Sequence, residues 1–383
     1  MTQPRPIRIF AESGSAARLS HQLSRRGFFA ASGVSALALL AACAPQGSST
    51  VGGSLRMFSW KDYNNPDNLQ LFTNERGVSV SVASFGSNED MLAGLQSSAC
   101  DLIVPTGPYV PGLIEAGLLQ KLDMSLIPNF ANVQRDFRGL PWDLDDEWTV
   151  VKNWGTTGFV YDNREITRPL SSWADFIDAA QNEASGRTSL LDDPRDLFGL
   201  YFWSRGIDWN TTEAVVYDDA ERYLLAELAP HVSSFDSMVS EAMGGGEQVL
   251  LQGYNGDARF GILDSDDPGR WTWVLPTPAT ELWVDTYAIP ASAMSPRAAH
   301  AFIDFMLTPT VSLAELSWNG YSTGLSNIGM AAELAGEERL DMVFFDDDAL
   351  ERMTPAVIND MHDRAVAFWN DFKAAAGAGV PTR

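Results

Sequence analysis

The strand around which the chain is arranged is Glu281-Leu282-Trp283-Val284-Asp285-Thr286-Tyr287-Ala288-Ile289-Pro290, in which the pattern alternates until the proline. Trp283 and Asp285 are two residues apart, so both side chains point to the same face of the predicted sheet. An indole beside a carboxylate suits an organic cation, because the ring face attracts positive charge and the carboxylate pairs with it. The same ten residues also fit an ordinary strand with one buried Trp and one solvated Asp, so the rest of the chain must decide.

The N-terminus has the features of an export signal. Ser24-Arg25-Arg26-Gly27-Phe28-Phe29 matches a twin-arginine signal, and an apolar run from Ala30 to Ala42 follows it. This run is too short, and too often interrupted by Gly and Ser, to be a transmembrane anchor. It ends at Leu40-Ala41-Ala42-Cys43, where small residues before a Cys form a lipobox. We therefore predict a signal peptide over residues 1–42 and lipidation of Cys43.

Residues 43–53 are predicted to be the lipidated Cys and a flexible tether. The tether is rich in Gly and Ser, and ten such residues span roughly 17 Å r.m.s.. Bacterial lipoproteins carry several acyl chains on this Cys, which makes the anchor stable. The mature protein is thus expected in the periplasm or on the outer face of the cell membrane, exported by the twin-arginine route.

Cysteine, histidine and charge exclude several classes of protein. Lipidation of Cys43 would leave Cys100 as the second of two cysteines, without a partner, and the four histidines show no metal-ligand spacing. We expect no disulfide, no metal and no other cofactor. The formal net charge of −24 argues against nucleic acid as a partner. It suits a cationic ligand through electrostatic steering, although it also serves solubility.

From residue 54 onward, strand-like and helix-like segments alternate. Val78–Val82 alternates as a strand does, Ser87 then caps a helix, and Asp101–Val104 has the composition of a buried strand. Further along, Pro296–Met306 is predicted to be a helix with Pro in its first turn. The βαβα order predicts an α/β fold with a parallel sheet and helices on both faces.

A change of domain is predicted near the middle of the chain. With 383 residues, the chain is long enough for two domains. Two strand-like runs between Trp148 and Tyr161 are separated by Asn153-Trp154-Gly155. We predict a hinge at this break.

Polar and aromatic residues follow several predicted strands. In open α/β sheets, ligands bind outside the carboxyl ends of the strands. The candidates there are Trp60 and Tyr63 after the first strand, Thr106 and Tyr109 after the third, Asp193 and Asp196 after the strand at Thr188, and Tyr254 after the strand at Gln248. Asp193-Pro194-Arg195-Asp196 also suits a helix N-terminus, with Asp193 as the cap, and capping does not exclude ligand binding.

Six segments, taken together, resemble one family. They are Phe58-Ser59-Trp60-Lys61-Asp62-Tyr63, Ser87-Asn88-Glu89, Asp101-Leu102-Ile103-Val104-Pro105, Ser172-Trp173-Ala174-Asp175, Leu191-Asp192-Asp193-Pro194-Arg195-Asp196, and Trp283 to Pro290. Their order and spacing resemble those of the spermidine/putrescine-binding proteins that serve bacterial ABC importers. The resemblance runs from about Leu55 to Tyr321.

The resemblance implies a fold and a division into lobes. The family has a type II-like periplasmic-binding-protein fold, in which two α/β lobes are joined by a multi-crossing hinge with a ligand cleft between them. By analogy, residues 54–154 and 285–327 would form the N-lobe. Residues 155–284 and 328–383 would form the C-lobe.

The resemblance also implies a binding site, in which acids hold the amines and aromatic rings sandwich the methylene chain. It places acids at Asp193, Asp196 and Asp285, aromatics at Trp60, Tyr63, Tyr254, Trp283 and Tyr321, and smaller polar contacts at Lys61, Thr106 and Ser237.

Three positions depart from the family pattern. Pro108 stands where the family has an aromatic, so Tyr109 would have to turn in to complete that wall. Asp196 stands in place of a longer Glu, which shortens its reach. Lys61 replaces a small polar residue, and we expect it to point to solvent or to pair with Asp62.

The function implied by this resemblance is capture of a polyamine, putrescine or spermidine, and its delivery to an ABC permease by a monomeric, lipid-anchored, non-enzymatic binding protein. An alternative is a binding protein of the same fold for another cationic amine or small solute. A further alternative is an exported hydrolase with paired carboxylates. The sequence contains no Gly-x-Ser-x-Gly, phosphate-loop or metal motif in support of an enzyme.

Overall fold

The computed structural model describes residues 53–97 and 99–379. The predicted signal peptide, Cys43 and residues 44–52 lie outside the described residues, so the export signal and the lipid anchor stay predictions. Gly53, assigned to the tether, already belongs to the first strand.

The described part of the chain contains ten strands and thirteen α-helices. The strands are β1 (Gly53–Trp60), β2 (Val78–Phe85), β3 (Leu102–Ile103), β4 (Thr149–Asp162), β5 (Thr188–Leu190), β6 (Val232–Phe235), β7 (Leu250–Tyr254), β8 (Trp271–Val274), β9 (Thr280–Ala288) and β10 (Met353–Pro355). The helices are α1 (Pro66–Arg76), α2 (Asn88–Ser97), α3 (Val110–Glu115), α4 (Trp173–Gln181), α5 (Pro194–Ser204), α6 (Ala214–Tyr223), α7 (Val239–Gly245), α8 (Asn255–Asp264), α9 (Pro296–Met306), α10 (Pro309–Asn319), α11 (Ile328–Ala335), α12 (Asp347–Leu350) and α13 (His362–Gly379).

The sheet has parallel strands towards both ends and antiparallel strands in the middle. Its order is β2-β1-β3-β9-β4-β7-β5-β6, with β10 beside β9 and β8 beside β4. β1 pairs in parallel with β2 and β3, and β5 pairs in parallel with β6 and β7. Between these groups, β9 runs antiparallel to both β3 and β4. The strand that carries Trp283 and Asp285 is therefore central.

The predicted break at Asn153-Trp154-Gly155 is wrong, because β4 is one continuous strand. Only its pairing with β9 is irregular, between Val151 and Asn153. Asn153 can lie inside the sheet because its side chain is fully bonded, accepting from Lys152 Nζ at 2.8 Å and donating to the carbonyl of Tyr321 at 3.3 Å. Buried polar groups are tolerated when they are paired in this way.

The helix starts follow the local sequence. Ser172 caps α4 through a capping box, in which Ser172 Oγ accepts from Asp175 N at 3.1 Å and the Asp175 carboxylate accepts from Ser172 N at 3.0 Å. Ser87 Oγ accepts from Asp90 N at 3.1 Å, as predicted. α9 has the predicted bounds, Pro296–Met306, with Pro in its first turn.

The buried apolar side chains form two large clusters. One contains residues from Leu55 to Trp154 and from Leu282 to Met353, and the other contains residues from Phe159 to Leu250, Val274, and residues from Ala356 to Ala376. The lobe boundaries at residues 154/155, 284/285 and 327/328 stay predictions. Cys100 is buried and free, as expected of a small apolar side chain.

Two features are absent from the described ranges. None of the helices there combines the length and the apolar character that crossing a bilayer requires. Within those same ranges, no three His, Cys, Asp or Glu side chains gather as a metal site would require.

Candidate functional site

Asp285 is held by a chain of polar contacts near the end of β9. Its Oδ1 accepts a hydrogen bond from Thr106 Oγ1 at 2.8 Å. Thr106 is in turn held by Asn88, whose Nδ2 donates to Thr106 Oγ1 at 3.1 Å and whose Oδ1 accepts from Thr106 N at 3.1 Å. Asp285 is only 7% exposed. Burial raises its pKa to about 6, although Thr106, Tyr63 and Lys152 oppose the shift. A cation that replaced the lost water would therefore bind favourably here.

A buried ammonium lies behind Tyr63. Lys152 Nζ lies 3.8 Å from the centroid of the Tyr63 ring and donates to Glu315 Oε1 at 3.1 Å and to Tyr63 O at 2.9 Å. One face of the ring is thus already occupied by a cation. The Tyr63 hydroxyl lowers the pKa of Asp285, although it stays outside normal hydrogen-bond geometry. The contacts of Tyr63 therefore suit orienting Asp285 better than enclosing a ligand cation.

Trp283 lies between two tyrosines. Its ring meets Tyr321 at a centroid distance of 4.8 Å and Tyr254 at 6.0 Å, both edge to face. We call Tyr63, Tyr254, Trp283 and Tyr321 the aromatic cluster; Tyr63 joins it through Tyr321 at 6.1 Å. Trp283 Nε1 finds no hydrogen-bond acceptor among the described residues.

Two glycines make room for the aromatic cluster. A Cβ on Gly155 would lie 2.4 Å from the Trp283 ring, and a Cβ on Gly256 would lie 2.5 Å from the Tyr321 ring. Both distances are too short for any side chain. The glycines at the middle of β4 and the start of α8 therefore fix where the rings lie.

Asp193 and Asp196 lie at the start of α5. Asp193 caps the helix by accepting from Arg195 N at 2.7 Å and Asp196 N at 3.1 Å, as predicted. Asp196 is 2% exposed and its Oδ2 accepts weakly from Tyr254 Oη at 3.5 Å. Burial raises the pKa of Asp196 well above its ordinary value, and the charges of Glu281 and Asp193 add to the effect.

Glu281 belongs to the same place and was missed by sequence reasoning. It lies on β9 and accepts from Thr157 Oγ1 at 2.9 Å. Burial raises its pKa to about 7, the charge of Asp193 adds to this, and the Thr157 hydrogen bond opposes it. The alternation that put Trp283 and Asp285 on one face also puts Glu281 there. We call Asp193, Asp196 and Glu281 the acidic end.

Trp60 and Tyr109 make contacts of their own. Trp60 Nε1 donates to Val104 O at 3.1 Å, and its ring packs against Phe85 at 4.7 Å. Tyr109 Oη donates to Glu89 Oε1 at 2.6 Å, and His362 Nε2 lies 3.2 Å from the same oxygen. Loss of water around Glu89 opposes its ionisation, but the hydrogen bonds from His362 and Tyr109 lower its pKa to about 2.

Lys61 and Ser237 are both exposed to solvent. Lys61 Nζ lies 3.8 Å from Asp62 and 3.8 Å from Glu241, and its side chain is 61% exposed, which confirms the expected pairing with Asp62. Ser237 is exposed between β6 and α7. Within the described residues, no hydrogen bond links it to another candidate.

The structure thus brings together most of the candidate residues. Asp285 with Thr106, the aromatic cluster, and the acidic end form one group, in which Asp196, Trp283 and Asp285 are buried and Thr106, Asp193, Tyr254 and Glu281 are half-buried. Among the described residues, no ring contact or hydrogen bond joins Trp60, Tyr109 or Ser237 to it. Four residues of strand place the Cα atoms of Glu281 and Asp285 ~13 Å apart, with Trp283 between them. Acids at both ends and rings between them suit a linear cation with an apolar middle.

The chain belongs to the bacterial extracellular solute-binding protein family, whose model matches residues 69–335. The resemblance inferred from the sequence motifs is therefore confirmed.

Curated relatives and solved structures agree with this family. The spermidine/putrescine-binding periplasmic protein of Escherichia coli (strain K12) is 30% identical over 299 residues, which cover 77% of this chain and 83% of that protein. A putrescine/agmatine-binding protein of Pseudomonas aeruginosa is 26% identical over 288 residues, which cover 71% and 78%.

Among solved structures, the Tp0655 lipoprotein of Treponema pallidum has a TM-score of 0.74 at 25% identity, with 84% of this chain and 99% of that chain covered. The spermidine/putrescine ABC transporter substrate-binding protein of Streptococcus pneumoniae has a TM-score of 0.72 at 24% identity, with 85% and 100% covered. These matches confirm the predicted two-lobed binding-protein fold.

Proposed function

We propose that this protein is the substrate-binding component of an ABC importer and that it captures putrescine or spermidine. The observation that carries the proposal is the buried carboxylate of Asp285 on the face of β9 that also bears Trp283. The similar proteins that are named for spermidine and putrescine support it. The amine would pass from this cleft to the permease.

A polyamine meets the physical requirements of such a site. Each ammonium loses water on entry, and a buried charge without a partner costs several kcal/mol. Asp285 supplies a partner at one end, and the acidic end supplies partners at the other. Each aromatic face that contacts a desolvated cation adds about 0.5–2 kcal/mol. The methylene chain would lie along Trp283.

We also propose that the protein works as a monomer held to the membrane through a lipid on Cys43, after twin-arginine export. This rests on the motifs at Arg25-Arg26 and Leu40–Cys43 in the sequence. The carboxylates are proposed to bind and not to hydrolyse, because the relatives are named as binding proteins. Turnover of a glycoside would contradict that part.

Calorimetry with putrescine and spermidine tests the proposed function. Asp285→Asn should weaken binding of the better ligand by at least ~1.5 kcal/mol, the scale of a hydrogen bond to a charged group. Asp371→Asn, which removes one exposed charge from α13, is the matched control and should leave the affinity unchanged. No heat from either polyamine, with binding of another amine, would retain the family and refute the ligand. An unchanged affinity in Asp285→Asn would refute the site.

A further inference from the structure

Glu281 faces the same way as the two β9 residues that the proposed function uses. Side chains alternate along a strand, so Glu281, Trp283 and Asp285 lie on one face. The Glu281 carboxylate is anchored from the neighbouring strand, because Thr157 Oγ1 donates to its Oε2 at 2.9 Å. It is thus held as firmly as Asp285 is held by Thr106.

Asp196 brings a second carboxylate to Glu281. Thr157, which donates to Glu281, pairs in register with Tyr254 on β7, and the Tyr254 hydroxyl lies 3.5 Å from Asp196 Oδ2. After burial, the charge of Glu281 is the largest influence that raises the pKa of Asp196. Thr157 also lies near Asp196, but a hydroxyl has one proton, and Thr157 donates it to Glu281. Asp196 Oδ1 is buried, and it accepts no hydrogen bond from any residue that the structure describes.

No protein cation neutralises this pair by direct contact in the described part of the chain. Arg195, whose charge lowers the pKa of both groups, directs two of its guanidinium nitrogens elsewhere: Nη1 donates to Val357 O at 2.6 Å and Nη2 donates to Asn210 Oδ1 at 3.2 Å. Its Nε is buried and finds no acceptor among the described residues. Its guanidinium also lies 4.9 Å from the Trp209 ring centroid. A buried acceptor without a donor is costly, so a cation from outside the chain would stabilise the pair in its charged form.

We propose that Glu281 is a further ligand-binding carboxylate, that it forms a subsite with Asp196 at the opposite end of the cleft from Asp285, and that this subsite selects a linear triamine over a diamine. The inference rests on the proposed function and adds both a residue and a substrate class to it.

The selection follows from matching charges. Asp193 is already engaged as the cap of α5, which leaves three carboxylates for the ligand in the proposed site: Asp285, Asp196 and Glu281. A linear triamine such as spermidine carries three ammonium groups, one for each carboxylate. A diamine such as putrescine pairs with two, and the third carboxylate must keep a proton or remain an unpaired buried charge.

Glu281→Gln separates the two amines. The substitution keeps the size of the side chain and an oxygen that accepts from Thr157, and it removes the charge. We expect spermidine affinity, measured by calorimetry on the full chain, to fall at least tenfold, while putrescine affinity changes less than threefold. Glu333→Gln, on an exposed part of α11, is the matched control for the overall loss of one charge and should change neither affinity.

Proton release gives a second readout. Burial raises the pKa of Glu281 to about 7, so near neutral pH the ligand-free site retains protons that a bound cation expels. Calorimetry in buffers with different ionisation enthalpies should show more protons released by spermidine than by putrescine. The difference should shrink in Glu281→Gln.

The outcomes distinguish this inference from the proposed function. If the wild type binds polyamines and Glu281→Gln binds spermidine equally well, or weakens both amines equally, the inference is wrong and the proposed function stands. If the wild type binds neither amine, both fail. Tighter binding of agmatine than of spermidine, lost in Glu281→Gln, would assign the subsite to a guanidinium and overturn the choice of a triamine.

Discussion

At the scale of single residues, the smallest side chains place the largest ones. Gly155 lies in the middle of β4, where its missing Cβ leaves space for the indole of Trp283 and for the side-chain oxygen of Asn255. That amide is itself occupied, since Asn255 Oδ1 accepts from Thr156 N at 2.9 Å and Nδ2 donates to Met342 O at 2.7 Å. Neither neighbour can move away freely.

Gly155→Ala should therefore displace Trp283. The added methyl would lie 2.4 Å from the ring, and overpacking of this kind costs typically about 1–3 kcal/mol. We expect this loss in urea unfolding, together with weaker ligand binding in calorimetry. Gly112→Ala is the control, because nothing lies within 4 Å of its Cβ position in α3. Equal stability and affinity in the two variants would contradict the role given to Gly155.

At the residue scale, the sequence predicted Asp285, Trp283 and Thr106 as neighbours but not Glu281 or Lys152. Glu281 had a usable signal, since it is four residues from Asp285 in the same strand. Lys152 had none, because a lysine between Val151 and Asn153 gives no indication that Glu315, 163 residues away, will pair with it in the interior. Such long-range pairs are decided by the tertiary fold.

At the scale of elements, the N-terminus of α5 is both a capped helix start and part of the proposed site. Asp193 satisfies two backbone N–H groups there, and the positive end of the helix dipole favours its charge. Burial nevertheless raises its pKa, because the N–H groups only partly replace the lost water. The capping role of Asp193 and the role of its charge can be separated by the choice of the residue that replaces it.

Asp193→Asn keeps the cap and removes the charge, whereas Asp193→Ala removes both. We expect Asn to preserve stability within ~0.5 kcal/mol and Ala to lose ~1 kcal/mol in chemical denaturation. If Asp193 acts mainly as the cap, polyamine affinity should be nearly unchanged in the Asn variant. A large loss of affinity with intact stability would instead show that Asp193 binds the ligand directly.

Element boundaries were predictable where local signals exist. The Ser87 cap located the start of α2, and Pro296 located the start of α9. α8 was missed because Asn255–Asp264 has no clear apolar face: it contains two glycines and a buried Arg259 that donates to Glu337 at 2.6 Å. Its stability comes from contacts that only the folded chain provides.

At the scale of the whole molecule, the site costs stability when no ligand is bound. The folded-state pKa values of Asp285, about 6, and Glu281, about 7, exceed their ordinary values. The folded protein therefore binds more protons than the unfolded chain between about pH 4 and 7. The free energy of unfolding therefore falls as pH rises through that window, and the destabilisation caused by the two buried carboxylates is complete above it.

Neutral variants at these positions should show the cost directly. Without ligand, Glu281→Gln and Asp285→Asn should each be more stable than the wild type at pH 8, on the order of 2 kcal/mol. The advantage should disappear near pH 4, where the wild-type groups are protonated. Urea unfolding at the two pH values measures it. An advantage that is the same at both pH values would show that these carboxyl groups are not destabilised by burial.

Burial of the site also has a kinetic consequence. Asp285, Trp283 and Asp196 are between 2% and 8% exposed, so an amine bound among them as proposed would be largely covered by the protein. Escape must wait until the surrounding chain moves, and the frequency of that opening sets an upper limit on the dissociation rate of every ligand. Ligands of different affinity would share this upper limit. They would differ in the fraction of openings during which the ligand dissociates. The residence time of the proposed ligand is therefore set in part by the protein itself.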